Sequence, residues 1–249
     1  MNRTTPPSSS AETTTAASPF TLGLPTAWTA LTDTQLAALC SLAAQGLDPD
    51  TLRARFLTLH LLSPEQRALF APADLLPAAD LLDWMDTPPD TPIRGAALRG
   101  RTALDAALHD VPFRTYLMAD NCFQGWLATA AAAPLHDMAR LLYPLPSEAP
   151  DDEDDEPLTP GECYGIALWW TGLKSLLART FPHLLRPAPT TDADESPDPA
   201  EAMNAQIRAL TAGDITKEEC VLAADTWRAL TELDAKAREA QELNERLKH

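Results

Sequence analysis

The sequence predicts an all-α protein: a multi-helix N-terminal domain and a C-terminal helical hairpin, joined by acidic, Pro-rich linkers. Three observations carry this. Only 9 of 249 residues are Gly while Ala and Leu abound, a composition that favours helix over strand. Apolar residues recur at spacings of three and four rather than in alternation. The 23 prolines gather in the first 25 residues and in 64–92, 144–160 and 182–199. Helices should begin or end there, because proline lacks the N–H that an interior helical residue donates.

Taken in order, residues 1–20 are rich in Ser, Thr, Ala and Pro and cannot bury enough surface to offset their ordering entropy, so a disordered tail is expected. Residues 21–143 form the N-terminal helical domain. Thr32 and Gln35 make a capping box for a helix with the stripe Leu36, Leu39, Cys40 and Ala43, ended by Gly46. Asp48-Pro49 starts a second helix, over 51–62, which is apolar on two faces and therefore central. Ser63-Pro64-Glu65-Gln66 repeats the start signal for a short helix to about Ala71, and another is expected over 73–85, with Pro77 limiting its start. Gly95 and Gly100 leave 93–98 as the one extended stretch, whereas 102–109 reads as helical by composition. Pro112 opens a helix through Tyr116, Leu117, Cys122 and Trp126, and Pro134 opens one ending at Tyr143-Pro144.

The second half begins with a linker, 144–160, containing Asp151-Asp152-Glu153-Asp154-Asp155-Glu156. Six like charges repel one another and favour a solvated chain, and the alternating ligands and turn glycine of an EF-hand are missing. Residues 161–186 are expected as a core helix packing on the N-terminal domain, with Ile166, Trp169, Trp170, Leu173 and Leu177 along one side. A second acidic linker, 187–199, precedes the hairpin, 200–249: a helix to Leu210, a break at Gly213, and a Thr216–Glu219 capping box opening a helix to the end. Proteases are expected to cut first in 1–20, 147–160 and 187–199, which lack apolar anchors.

A formal net charge of −17 and a pI near 4.5 repel a phosphate backbone, so no nucleic-acid partner is expected, while a basic protein surface is favoured. The first 20 residues hold no apolar run of signal-peptide length, and the most apolar segment, 163–178, is too short for a membrane span and carries Lys174. Cys40, Cys122, Cys163 and Cys220 lie far apart within apolar stretches and read as buried free thiols of a reducing, cytoplasmic compartment.

Chemistry-bearing patterns are sparse. Gly161-Glu162-Cys163-Tyr164-Gly165 has the spacing of a nucleophile elbow, but an acidic linker stands where the elbow's strand belongs, so a helix start with a core cysteine is the better reading. His109-Asp110, His136-Asp137 and His60 are similar to the His-Asp pairs of helical HD-type metal phosphohydrolases, the enzymatic alternative; each Asp is equally a helix-start acid. No zincin, zinc-ribbon, P-loop or dinucleotide string is present, so no cofactor and no catalytic residue is assigned. The tryptophans read as core anchors.

The C-terminal helix is more informative. Ala223, Thr226, Leu230, Leu233, Ala237, Ala240, Asn244 and Leu247 form a heptad-like seam, and Glu232 with Lys236, Asp234 with Arg238 and Glu242 with Arg246 are i,i+4 charge pairs. Leu230, Leu233, Ala237, Ala240 and Leu247 are the candidate partner-binding residues, for a second copy of the chain or for a partner helix. The alternative is a helix packed on its own domain.

Several strings carry a resemblance: Leu24-Pro25 with Trp28, Leu31-Thr32 and Gln35-Leu36; Asn121-Cys122-Phe123-Gln124-Gly125-Trp126-Leu127; Leu141-Leu142-Tyr143-Pro144; Trp169-Trp170 through Phe181-Pro182; and Met203-Asn204-Ala205-Gln206-Ile207-Arg208-Ala209-Leu210. Over most of 22–240 the chain resembles helical proteins of bacterial prophages and integrated elements found among tail-morphogenesis genes. The resemblance carries no functional residue. It implies a non-enzymatic assembly protein similar to a tail assembly chaperone, holding apolar helices of a tail protein until assembly. A generic cytoplasmic adaptor is the remaining alternative.

Overall fold

The computed structural model describes residues 23–145, 156–185 and 199–248; the expected tail, the acidic run up to Asp155 and nearly all of the second linker lie outside them. The described residues form ten α-helices and one two-stranded hairpin, an all-α protein. None of these helices is long and apolar enough to cross a membrane.

Helix starts follow their capping residues. Thr32 and Gln35 cap α1 (Asp33–Ala43) reciprocally, Asp48 caps α2 (Pro49–Phe56), and Ser63 with Gln66 caps α3 (Pro64–Leu69). These caps satisfy N–H groups that have no intrahelical partner. A π-helical turn, Leu57–Leu61, continues α2 as the expected longer helix. The next helix, α4 (Pro72–Asp80), departs from expectation: it starts at Pro72, and Pro77 lies inside it. A proline at the first position loses nothing, because first-turn N–H groups donate to no carbonyl of their own helix. Leu39, Leu42, Phe56, Leu57, Leu62, Ala79 and Leu82 bury together as a first core.

A tight turn follows, pairing β1 (Ala97–Leu98) with β2 (Arg101–Thr102) through Arg99 and Gly100, both at positive φ. Residues 102–109, expected as helix, are not helical: Thr102 belongs to β2 and 103–109 to loop and turns. The Asp105 carboxylate accepts the amides of Ala107 at 3.0 Å and His109 at 2.9 Å, a local alternative to helical bonding, while Leu108 is fully buried.

The second core joins α5 (Phe113–Thr129), α6 (Ala133–Leu142), α7 (Pro160–Thr180) and the C-terminal helices. The long helix α7 lies in the second core and meets α1 of the first region through a small third cluster. Trp169, Trp170, Leu173 and Leu177 lie in the second core, whereas Leu168 packs with Leu36 and Cys40 of α1. The α1–α7 crossing is close enough that a Cβ at Gly161 would meet the Ser41 Cα at 2.9 Å. Residues 21–143 are therefore divided between two cores, linked where α1, whose Leu39 and Leu42 lie in the first, packs Leu36 and Cys40 on Leu168 of α7.

The C-terminal region corrects two expectations. Helices α8 (Pro199–Thr211), α9 (Glu218–Leu222) and α10 (Thr226–Lys248) are not a separate hairpin, because Ala229, Leu230 and Leu233 are buried in the second core beside Leu108 and Phe113. Nor does one helix run from Thr216 to the end. Asp214 caps a 3-10 turn, Ile215–Lys217, that leads into α9, Thr216 caps no helix, and the chain breaks between α9 and α10, where Asp225 bridges Pro112. There Val111 O accepts both the amide of Thr226 at 2.9 Å and its hydroxyl at 2.7 Å.

Candidate functional site

A cleft of about 680 Å³ lies between the two cores. One wall depends on the N-terminus of α7. Thr159 and Glu162 cap that helix reciprocally at 3.2 and 2.7 Å. Arg99 grips the same Glu162 with two bonds of 3.0 and 2.6 Å, and also donates to the carbonyls of Pro157, at 3.0 Å, and Glu156. Burial opposes ionisation of Glu162, but the bonds from Arg99 and Thr159 outweigh it and hold the carboxyl below its ordinary range. The amide of Leu158 donates to His136 Nε2. The last residues of the expected linker, 156–159, are thus tied down and place Leu158 on the cleft wall.

The opposite wall is held by two tryptophans. Trp28 and Trp84 meet edge to face with ring centroids 5.2 Å apart, and their indole N–H groups donate to Thr87 O and Pro25 O, each at 2.9 Å. This fixes the segment carrying Met85, Asp86 and Pro88, and Arg53 pairs with Asp86 at 3.0 Å. Trp126, Leu135, Leu168 and the half-exposed Tyr164 complete a mainly apolar lining with one carboxylate, Asp86, and no cationic side chain.

A smaller cavity of about 160 Å³ lies between α1, the hairpin and α7, beside Cys40. Burial pushes the Cys40 thiol up to about 12, so the nucleophilic thiolate is suppressed. Elsewhere, Asp120 accepts Lys174 at 3.0 Å and the Trp170 indole at 3.1 Å, neutralising a partly buried ammonium between α5 and α7.

The structure brings only part of the expected seam together. Leu230 and Leu233 do not face a partner: both are buried in the chain's own core, Leu230 completely. Their position was ambiguous in sequence because an intramolecular apolar stripe has the same period as an intermolecular one. Ala237 is half-buried, while Ala240 and Leu247 are exposed, Leu247 by 77%. Among the charge pairs, Lys236 reaches Glu232 at 3.4 Å, but Asp234 accepts the amides of His183 and Leu184 at 2.8 and 2.9 Å, tying α10 to the end of α7.

The His-Asp pairs serve local structure. His109 stacks on Trp227 with centroids 4.6 Å apart, the Asp110 amide bonds Asp225, and Asp137 lies 3.9 Å from Arg140. No group of three or more His, Cys, Asp or Glu side chains positioned for a metal occurs among the described residues. The elbow-like Gly161–Gly165 string forms the first turns of α7, as the helix-start reading expects, and Cys163 packs half-buried against the second core while also lining the cleft. The four cysteines are free thiols, with Cys40 buried, Cys122 and Cys163 half-buried and Cys220 exposed, so the expectation of four buried thiols holds for Cys40 alone. Of the six tryptophans, Trp28 and Trp126 line the cleft while also packing, partly buried, against the first and second cores. Comparison of the chain with protein-family models, curated proteins and solved structures yields no match.

Proposed function

We propose that the protein is a non-enzymatic binding protein that holds an apolar segment of another protein in the cleft between its two cores. The cleft is the observation that supports this reading: a solvent-open hollow of about 680 Å³ with Trp, Tyr, Met and Leu side chains on its walls. Open apolar concavities are where soluble proteins take ligands, and aromatic residues with Met are enriched at binding surfaces. The net charge of −17 disfavours nucleic acid and favours a basic protein. The prophage resemblance supplies the setting: a tail-morphogenesis protein, held in the cytoplasm before assembly in the manner of a tail assembly chaperone.

The test is a photoreactive amino acid placed at Ala132 or Tyr164, both exposed and both on the cleft wall. In the native host, the expected result is one adduct from either position, identified by mass spectrometry as a protein of the assembling particle, and none from Glu232 on α10. Equal yields from all three positions would count against the reading.

A further inference from the structure

We infer that the occupant of the cleft is a cationic amphipathic α-helix of a partner protein, an inference that rests on the binding reading above. The first argument concerns the backbone. An extended peptide gains affinity by adding to a sheet edge, and the described β-structure, Ala97–Leu98 with Arg101–Thr102, contributes no residue to the lining. The walls offer mainly side chains of helices, which favours an occupant that arrives with its own N–H and C=O groups already paired, as a helix does.

The second argument is size. A hollow of about 680 Å³ exceeds what one side chain fills, so it can take several apolar anchors from one helix face among Trp28, Met85, Trp126 and Tyr164.

The third argument is charge. The lining carries Asp86 and no cationic side chain; Asp86 shares Arg53 with Asp50, so these three side chains keep one net negative charge beside the cleft, and Glu156 stands exposed two residues before Leu158 of the lining. Lys and Arg flanking an apolar helix face would find these carboxylates and lay their alkyl stems over Trp and Tyr rings. A second copy of this chain, itself carrying −17, is repelled from the same cleft.

The experiment uses the full chain, fluorescence anisotropy and three labelled model peptides. These are a Leu/Lys amphipathic helix, a Leu/Glu helix with the same apolar face, and a Leu/Lys peptide of equal composition with Leu at every second position. The expected result is saturable binding of the Leu/Lys helix alone. Ala132→Trp fills the hollow at constant charge, and Tyr164→Glu puts a carboxylate on the apolar wall; each should weaken binding by about tenfold or more. Both positions are exposed, so circular dichroism should report an unchanged fold.

Attraction by net charge alone would be strengthened by Tyr164→Glu, and that result overturns the inference. Equal binding of the Leu/Glu helix or of the alternating peptide does the same. The crosslinking experiment depends on neither charge nor helicity of a probe. A crosslinked partner combined with failure of the Leu/Lys helix therefore overturns the cationic-helix inference and leaves the binding reading standing.

Discussion

The backbone N–H of Asp110 donates to the Asp225 carboxylate at 3.0 Å, joining positions 115 residues apart. Through its other oxygen the same carboxylate accepts the Arg228 amide at 3.0 Å in the first turn of α10. One side chain thus caps a helix and fastens it to the loop before α5. Asp225→Ala should cost about 1–3 kcal/mol, the sum of a lost cap and a lost tie, read as a lower urea midpoint.

Burial separates the two ends of the C-terminal seam. Leu230→Ala opens a cavity in the second core and should cost about 2–5 kcal/mol, with a single transition for the whole chain. Leu247→Ala, at an exposed site, should stay within about 0.5 kcal/mol. A Leu230→Asp, Leu233→Asp double variant should lose helix throughout the second core. If circular dichroism showed loss of α10 alone, the placement of these leucines in the common core would be wrong.

Two helical glycines should respond in opposite directions. A Cβ at Gly172 would lie 2.2 Å from Thr91 O and 2.8 Å from Thr91 C, both backbone atoms, so α7 or the 91–92 segment must shift. Gly172→Ala should destabilise by about 1–3 kcal/mol. At Gly125 in α5 the nearest atom is the Pro134 side chain at 3.7 Å, an ordinary contact. Gly125→Ala should stabilise by about 0.5–1 kcal/mol through helix propensity. Thermal and urea unfolding of the pair would check both.

Stability should fall at alkaline pH. Burial raises the pKa of the Tyr116 hydroxyl and pushes the Cys40 thiol up to about 12. Burial alone would lower that of the Lys174 ammonium, but Tyr116 and Asp120 outweigh it and leave the pKa raised. All three folded-state values lie above those of the unfolded chain. As pH rises past about 8.5–10.5, the unfolded chain releases protons that the folded chain retains, which favours unfolding. The urea midpoint should therefore drop between about pH 8 and pH 11, and Tyr116→Phe should flatten the drop. An equal slope in wild type and variant would remove Tyr116 from the account.

The candidate site was legible in its parts and not as a whole. Trp28, Trp126 and Cys163 stand out in the sequence as aromatics and a thiol in apolar stretches, yet nothing in their spacing tells a wall residue from a core residue. Met85, Ala132 and Tyr164 give no signal at all. They share a cleft only because α7 packs on α1 along one face and on the second core along another. Arg99, whose grip on Glu162 shapes that cleft, sits in a turn 63 positions away.

What the sequence by itself determined is the helical class and most helix starts. Thr32 with Gln35 and Ser63 with Gln66 are capping boxes read directly from residues three apart, and the structure forms both, whereas the box expected at Thr216 and Glu219 does not form. The bonds of the two that form close within one turn, so no distant residue is needed to make them. Tertiary structure decided the rest. It drew 103–109 out of a helix by burying Leu108, broke the C-terminal helix where Asp225 meets Pro112, and turned Leu230 and Leu233 inward. An apolar stripe records that a face must leave water. Which surface covers it is settled only when segments far apart in the chain pack together.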